Sequence, residues 1–294
     1  MENLLIAFVL TLIAGLSTGI GAVLAFFTKR TNFRLLSVCT GLSAGVMLYV
    51  SFMELLPSGI HELIEGGAGE RPASLWALLA FFGGILLIFL IDRLVPEAEN
   101  PHETHTQAEY AELRDANVET PPEAQHHVDE TQRHQKNKLF RMGVFTALAI
   151  IIHNFPEGLA TFLTAFEKPH LGLAIALAVA LHNIPEGISV SVPIYYATGS
   201  RMKAFMWSCL SGLAEPIGAF VLWAVLALIY QNPVFTPPLF LLGLTSSAVA
   251  GIMVFISLDE LLPTSRAYGK GHDSLYGLVA GMAIMALSLV FLTV

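Results

Sequence analysis

The sequence predicts an all-α polytopic membrane protein of eight transmembrane helices. Three observations predict it. First, 54% of the 294 residues are hydrophobic and only 13% are charged, with a mean hydropathy of +0.65, where soluble domains carry about 25% charged residues. Second, eight apolar runs reach the length of about 20 residues that one crossing needs: 3–27, 34–57, 74–94, 139–166, 170–197, 202–230, 237–262 and 274–294. Third, the 15 Lys and Arg residues segregate. With both termini outside, thirteen fall in inside loops, and only Arg71 and Lys168 fall outside, the bias expected of cytoplasmic loops.

The runs read as helices because backbone groups in lipid must pair within the segment. They lack the alternation of barrel strands. Run 3–27 has no basic segment before it and is too long for a signal-peptide core, so it reads as the first span. Run 34–57 closes on ELLP, and the same four letters, at 260–263, stand at the end of run 237–262. The segment 95–138 is the one long hydrophilic stretch. It holds ten of the 23 acidic residues and five histidines, His102, His105, His126, His127 and His134. With few large apolar residues it is expected to be a disordered cytoplasmic loop, a solvated linker or a weak metal-binding one. Cys39 and Cys209 both lie in apolar runs and read as buried free thiols. AGLSTGIGA and GLVAG, in the first and last runs, are small-residue stretches suited to close helix packing.

An internal repeat organises these spans. AGVMLYVSFMELLP at 44–57 matches AGIMVFISLDELLP at 250–263 in eight of fourteen positions. HNFPEG at 153–158 is echoed by HNIPEG at 182–187. Each repeat relates an even span to an odd one, hence antiparallel spans. That is the mark of an inverted repeat, with a 3+2+3 layout in which helices 1–3 mirror helices 6–8.

The hexapeptides carry the chemistry. A helix advances about 100° per residue, so the Glu of HNxPEG points between its His and its Asn. On two facing helices, Glu157 and Glu186 could bridge. His153 and His182 would complete one site, and Asn154 and Asn183 a second. Imidazole suits transition metals, and carboxylate and amide oxygens suit harder ions. An ionised residue at a helix centre costs roughly 3 kcal/mol, so a duplicated triad at one depth argues for function. Pro156 and Pro185 are expected to kink their helices and free the carbonyls of Ile152 and Leu181. Glu215, in SGLAEPIG, is expected to be a third carboxylate at the centre. Glu54 and Glu260, near the ends of their runs, are candidates for a gate or for capping, with Asp259 a weaker one. Met47 and Met253 are candidates for lining a path or for core.

HNFPEGLATF, ALAVALHNIPEGISV, SGLAEPIGA and VAGIMVFISLDELLP closely resemble the ZIP (Zrt-, Irt-like protein) family of metal transporters, its bacterial zinc-transporter branch nearest. The resemblance covers essentially the whole chain and is weakest in 95–138. It implies both termini outside a cell or inner membrane, and uptake of divalent metal into the cytoplasm. It implies a binuclear site between helices four, five and six. By motif, His153, Glu157, His182 and Glu186 would form one half, and Asn154, Glu157, Asn183, Glu186 and Glu215 the other. The cargo expected is Zn2+, with Fe2+, Mn2+, Co2+ and Cd2+ accepted as well, since the neutral Asn183 stands where many eukaryotic relatives have Asp. No cofactor and no enzymatic role are expected. The partners expected are divalent ions, the bilayer and a second copy in a homodimer. No basic patch with interleaved aromatics suggests nucleic acid.

Other classes fit less well. The HExxH of a metalloprotease is absent, and so is the GxxxxGK[ST] of an ATP motor. A proton-driven metal exporter remains open, because ligand chemistry does not set direction.

Overall fold

Hydrocarbon offers the backbone no partner, so each apolar run closes its own hydrogen bonds. The computed structural model describes residues 2–27, 33–93, 125–232 and 237–292, among which there is no strand. Among the described residues, eight helices are long and apolar enough to cross a membrane. The first span is Glu2–Phe27, the third Glu70–Asp92, the fourth Gln125–Glu167, the fifth Pro169–Thr198 and the eighth Asp273–Leu292. The second, sixth and seventh are compound.

The second span runs Phe33–Val50, passes through a wider π turn at Ser51–Leu55, and continues as Leu56–Glu65. The seventh does the same: Leu239–Ile256, a π turn at Ser257–Leu261, then Leu262–Tyr268. ELLP was expected to end both. A proline lacks an N–H and crowds the carbonyl four residues back. Here the turn before each proline opens by one residue, with the N–H of Leu56 on the Ser51 carbonyl and that of Leu262 on the Ser257 carbonyl. The helix therefore survives Pro57 and Pro263. Glu54 and Glu260 sit inside these π turns, away from any helix end.

The sixth span breaks at Leu213, between Arg201–Gly212 and Ala214–Tyr230. Pro216 has no N–H to offer the Gly212 carbonyl, so one rung is missing. Bonds from Leu213 to Cys209 and from Ile217 to Leu213 hold the halves in line. Pro156 and Pro185 lie within continuous helices.

The expected unstructured loop 95–138 is helical over 125–138, because the fourth helix begins at Gln125. Extending a helix adds one hydrogen bond per residue fixed, without the cost of a new nucleus. Residues 95–124, with His102 and His105, lie outside the described residues. Cys39 and Cys209 are free thiols, each half-buried and not fully buried as expected.

The spans pack in two sets. The first, fourth, fifth and sixth contact one another, the first lying along the fifth and the fourth along the sixth. The second lies along the eighth and the third along the seventh. The second also meets the fifth, which joins the sets. Gly45 has no room for a β-carbon against the Leu278 carbonyl, and Gly251 has none against that of Phe81. Gly45 and Gly251 are partners in the fourteen-residue repeat. Met47 and Met253, also partners, are buried in the core of this second set. The outward faces of the third and eighth spans carry exposed Leu79, Phe82, Leu87, Leu287 and Phe291, as suits helices that meet lipid.

At the start of the eighth span, Arg34 Nε donates to both oxygens of Asp273, at 3.0 and 2.9 Å. Asp273 also accepts from the Lys270 backbone. Arg34 is largely exposed, so the charge attraction is screened. Asp273→Ala should lower the stability of the purified protein slightly, read as a small fall in the temperature of unfolding in detergent.

Candidate metal centre

Both hexapeptides sit mid-helix in the four-span set, where the fourth and fifth spans face each other. Asn154, His182, Asn183 and Glu215 are fully buried, and Glu157 and Glu186 are 1% and 4% exposed. His182 Nε2 lies 3.0 Å from Glu157 Oε2 across the two spans. It lies 3.8 Å from Glu186 Oε1, one turn along its own helix. The structure thus brings His182 beside Glu157 of the facing span, with Glu186 one turn away. His153 is on the fourth span at the matching position, with its side chain outside the described residues.

The Asn side is built on backbone. Asn183 Nδ2 donates to the Ala14 carbonyl of the first span at 2.9 Å, and also to Glu215 Oε1 of the sixth. Asn154 Nδ2 faces the Ser211 carbonyl of the sixth span at 3.4 Å. An amide nitrogen only donates, so these carbonyls fix which way each carboxamide points. Each Asn thus turns its oxygen away from the packing contact. Asn154 Oδ1 and Asn183 Oδ1 are both buried without a hydrogen-bond partner.

Three more ligand-type atoms share that condition: Glu157 Oε1, His182 Nδ1 and Glu215 Oε2. Buried polar atoms are ordinarily paired. A cluster of lone-pair-bearing atoms with too few donors is what a cation would satisfy. Glu215 is also in the first turn of the helix that restarts at Ala214, where the helix dipole favours a carboxylate. The break before Pro216 therefore serves the site. Among the described residues, no three His, Cys, Asp or Glu side chains close into a finished cage. The set is divided between two pairs, His182 with Glu157 and Asn183 with Glu215.

Close approach of the spans is set by glycine. Gly158, in the first hexapeptide, has no room for a β-carbon against the Glu215 carbonyl, and Gly187, in the second, has none against the Thr18 carbonyl. The small-residue stretch of the first span was read from sequence as packing alone. Its Ala14 carbonyl in fact positions Asn183. A backbone acceptor leaves no mark in sequence. The available signal was GLSTGIGA at 15–22 recurring as GLAEPIGA at 212–219, identical in five of eight positions, which relates the first span to the Glu215 span.

The fold is that of a polytopic membrane protein that buries ligand-type side chains of its fourth, fifth and sixth spans together. The sequence pattern of the ZIP zinc transporter family matches residues 2–289. The zinc transporter ZupT of Clostridium perfringens is 51% identical over 293 residues, covering 98% of this chain and 96% of the relative. ZupT of Streptococcus mutans is 51% identical over 288 residues, 98% of each chain. ZupT of Nitratidesulfovibrio vulgaris is 53% identical over 287 residues, 98% of this chain and 97% of the relative. The chain belongs to the ZIP zinc transporter family.

Proposed function

We propose that this chain takes zinc up into the cytoplasm through a binuclear site at the meeting of the fourth, fifth and sixth spans. The observation that carries the reading is the cluster of unpartnered ligand atoms on Asn154, Glu157, His182, Asn183 and Glu215. His153, Glu157, His182 and Glu186 hold one ion on the imidazole side. Asn154, Asn183 and Glu215 hold a second on the amide side, with Glu157 and Glu186 bridging. The nitrogen and oxygen donors without thiolate suit a site that must release its ion. The amide side, harder in character, lets Fe2+, Mn2+, Co2+ and Cd2+ compete with Zn2+.

The 3+2+3 inverted repeat is part of the proposal. The matching π turns, the reciprocal glycine approaches at Gly45 and Gly251, and the parallel roles of Asn154 and Asn183 support it. The thirteen-to-two division of Lys and Arg supports both termini outside an inner or plasma membrane. A homodimer fits the exposed apolar faces no better than lipid does, and it enters here only through the resemblance.

Transport direction is read in cells that lack their own zinc uptake. Expression should raise accumulation of radiolabelled zinc from the medium. Lower accumulation, with improved tolerance of excess zinc, would establish the exporter. Flux should also fall as the pH drops through the imidazole and carboxylate range, because protons compete for the same lone pairs. Initial rates across a pH series check this; a flat profile into strong acid contradicts the ligand set.

A further inference from the structure

The contacts around the hexapeptides come in matched pairs. Gly158 meets the Glu215 carbonyl, and Gly187 meets that of Thr18. Gly218 leaves no β-carbon's ordinary room against the Phe155 carbonyl, and Gly21 none against that of Ile184. Asn154 donates to Ser211, and Asn183 to Ala14. The first-span partner and the sixth-span partner are 197 residues apart in every case: Ala14 with Ser211, Thr18 with Glu215, and Gly21 with Gly218. The two hexapeptides are themselves offset by 29 throughout. The contacts thus make Thr18 the counterpart of Glu215.

Glu215 stands beside Asn183. Its counterpart should stand beside Asn154, and two observations support that placing. Asn154 Nδ2 faces the carbonyl of Ser211, and a β-carbon on the next residue, Gly212, would lie 2.7 Å from Thr18 Oγ1. The hydroxyl and the carboxamide therefore meet adjacent residues of the sixth span. Thr18 is fully buried, and its Oγ1 has no hydrogen-bond partner, as holds for Asn154 Oδ1 and Glu215 Oε2. A threonine in a membrane helix commonly donates to the carbonyl one turn back, as Thr11 does to Ala7. Thr18 does not.

We infer that Thr18 is a further, specificity-determining residue of the metal site, giving a neutral hydroxyl oxygen to the Asn154 side of the ion that Glu215 meets from the Asn183 side. This rests on the binuclear reading above. A carboxylate on one wall and a hydroxyl on the other make the two sides unequal in charge. A hydroxyl oxygen contributes more to ions that favour all-oxygen ligation, such as Mn2+, than to Zn2+, which favours imidazole.

The test is equilibrium binding of Mn2+ and of Zn2+ to the purified full chain, wild type against Thr18→Val, Thr18→Ser and Glu157→Ala. Thr18→Val keeps the shape and removes the hydroxyl. It should lose about tenfold in Mn2+ affinity and change little for Zn2+, while Thr18→Ser binds both as wild type. Equal Mn2+ affinity in wild type and Thr18→Val overturns the inference, as does an equal loss for both ions in Thr18→Val that Thr18→Ser does not restore. Should Thr18→Val not yield folded protein, Thr18→Ala takes its place under the same expectation. Glu157→Ala separates the two readings. If it binds metal as wild type, the site itself is misplaced. If it loses metal while Thr18→Val keeps Mn2+, the inference on Thr18 alone falls.

Discussion

Glu157→Ala and Glu186→Ala should each reduce zinc flux at least about tenfold, with the protein still folded. Each carboxylate is buried on a face shared with His182. Removing Glu157 takes away the partner of His182 Nε2 and one of the unpartnered oxygens. Glu157→Gln keeps the shape and removes the charge, so it should be nearly as damaging if charge neutralisation of the ion is the role. Flux into proteoliposomes containing a zinc-sensitive dye, under an imposed zinc gradient and without ATP, measures this. Conservation of wild-type rates in both alanine variants would leave the hexapeptides a structural role only.

Gly187→Ala and Gly158→Ala should both be strongly destabilising. In each, the added carbon meets a backbone carbonyl of the facing helix, Thr18 or Glu215. A side-chain tip can swing aside, but a helix backbone has to shift whole. Overpacking of this kind costs about 3 kcal/mol. Gly83→Ala is the control, since nothing lies within 4 Å of its added carbon. That variant should be as stable as wild type, or slightly more so because alanine is the better helix former. Thermal aggregation midpoints of the three solubilised variants make the comparison. Equal midpoints for Gly83→Ala and Gly187→Ala would mean that the first and fifth spans are not held as closely as described.

The eight crossings were legible because hydrophobic length is a direct readout of bilayer thickness. The ends of the crossings were less so. Pro57 and Pro263 looked like stops, and the structure absorbs each in a π turn whose extra residue is invisible to a rule about missing N–H groups. The acidic, His-bearing stretch before Lys138 looked unable to fold alone. Its residues 125–138 are the first turns of the helix that continues into the apolar run. At the site, the pairing of His182 with Glu157 followed from helical periodicity, because side chains on facing helices obey their spacing. The orientation of Asn154 and Asn183 did not follow. It is fixed by the carbonyls of Ser211 and Ala14, and any residue supplies a carbonyl. For the same reason the first span, with Ala14 and Thr18, was read as packing when it borders the site.

The zinc ligands proposed are the nitrogen and oxygen atoms of the twin hexapeptides, and that assignment is open to direct spectroscopy. Zinc K-edge absorption of the zinc-loaded, purified chain tests it most directly. The first shell should fit nitrogen and oxygen alone at about 2.0–2.1 Å, with the outer scattering of imidazole, and that outer scattering should weaken in His182→Ala. A sulfur shell near 2.3 Å, or imidazole scattering unchanged in His182→Ala, would place the zinc elsewhere and contradict the account.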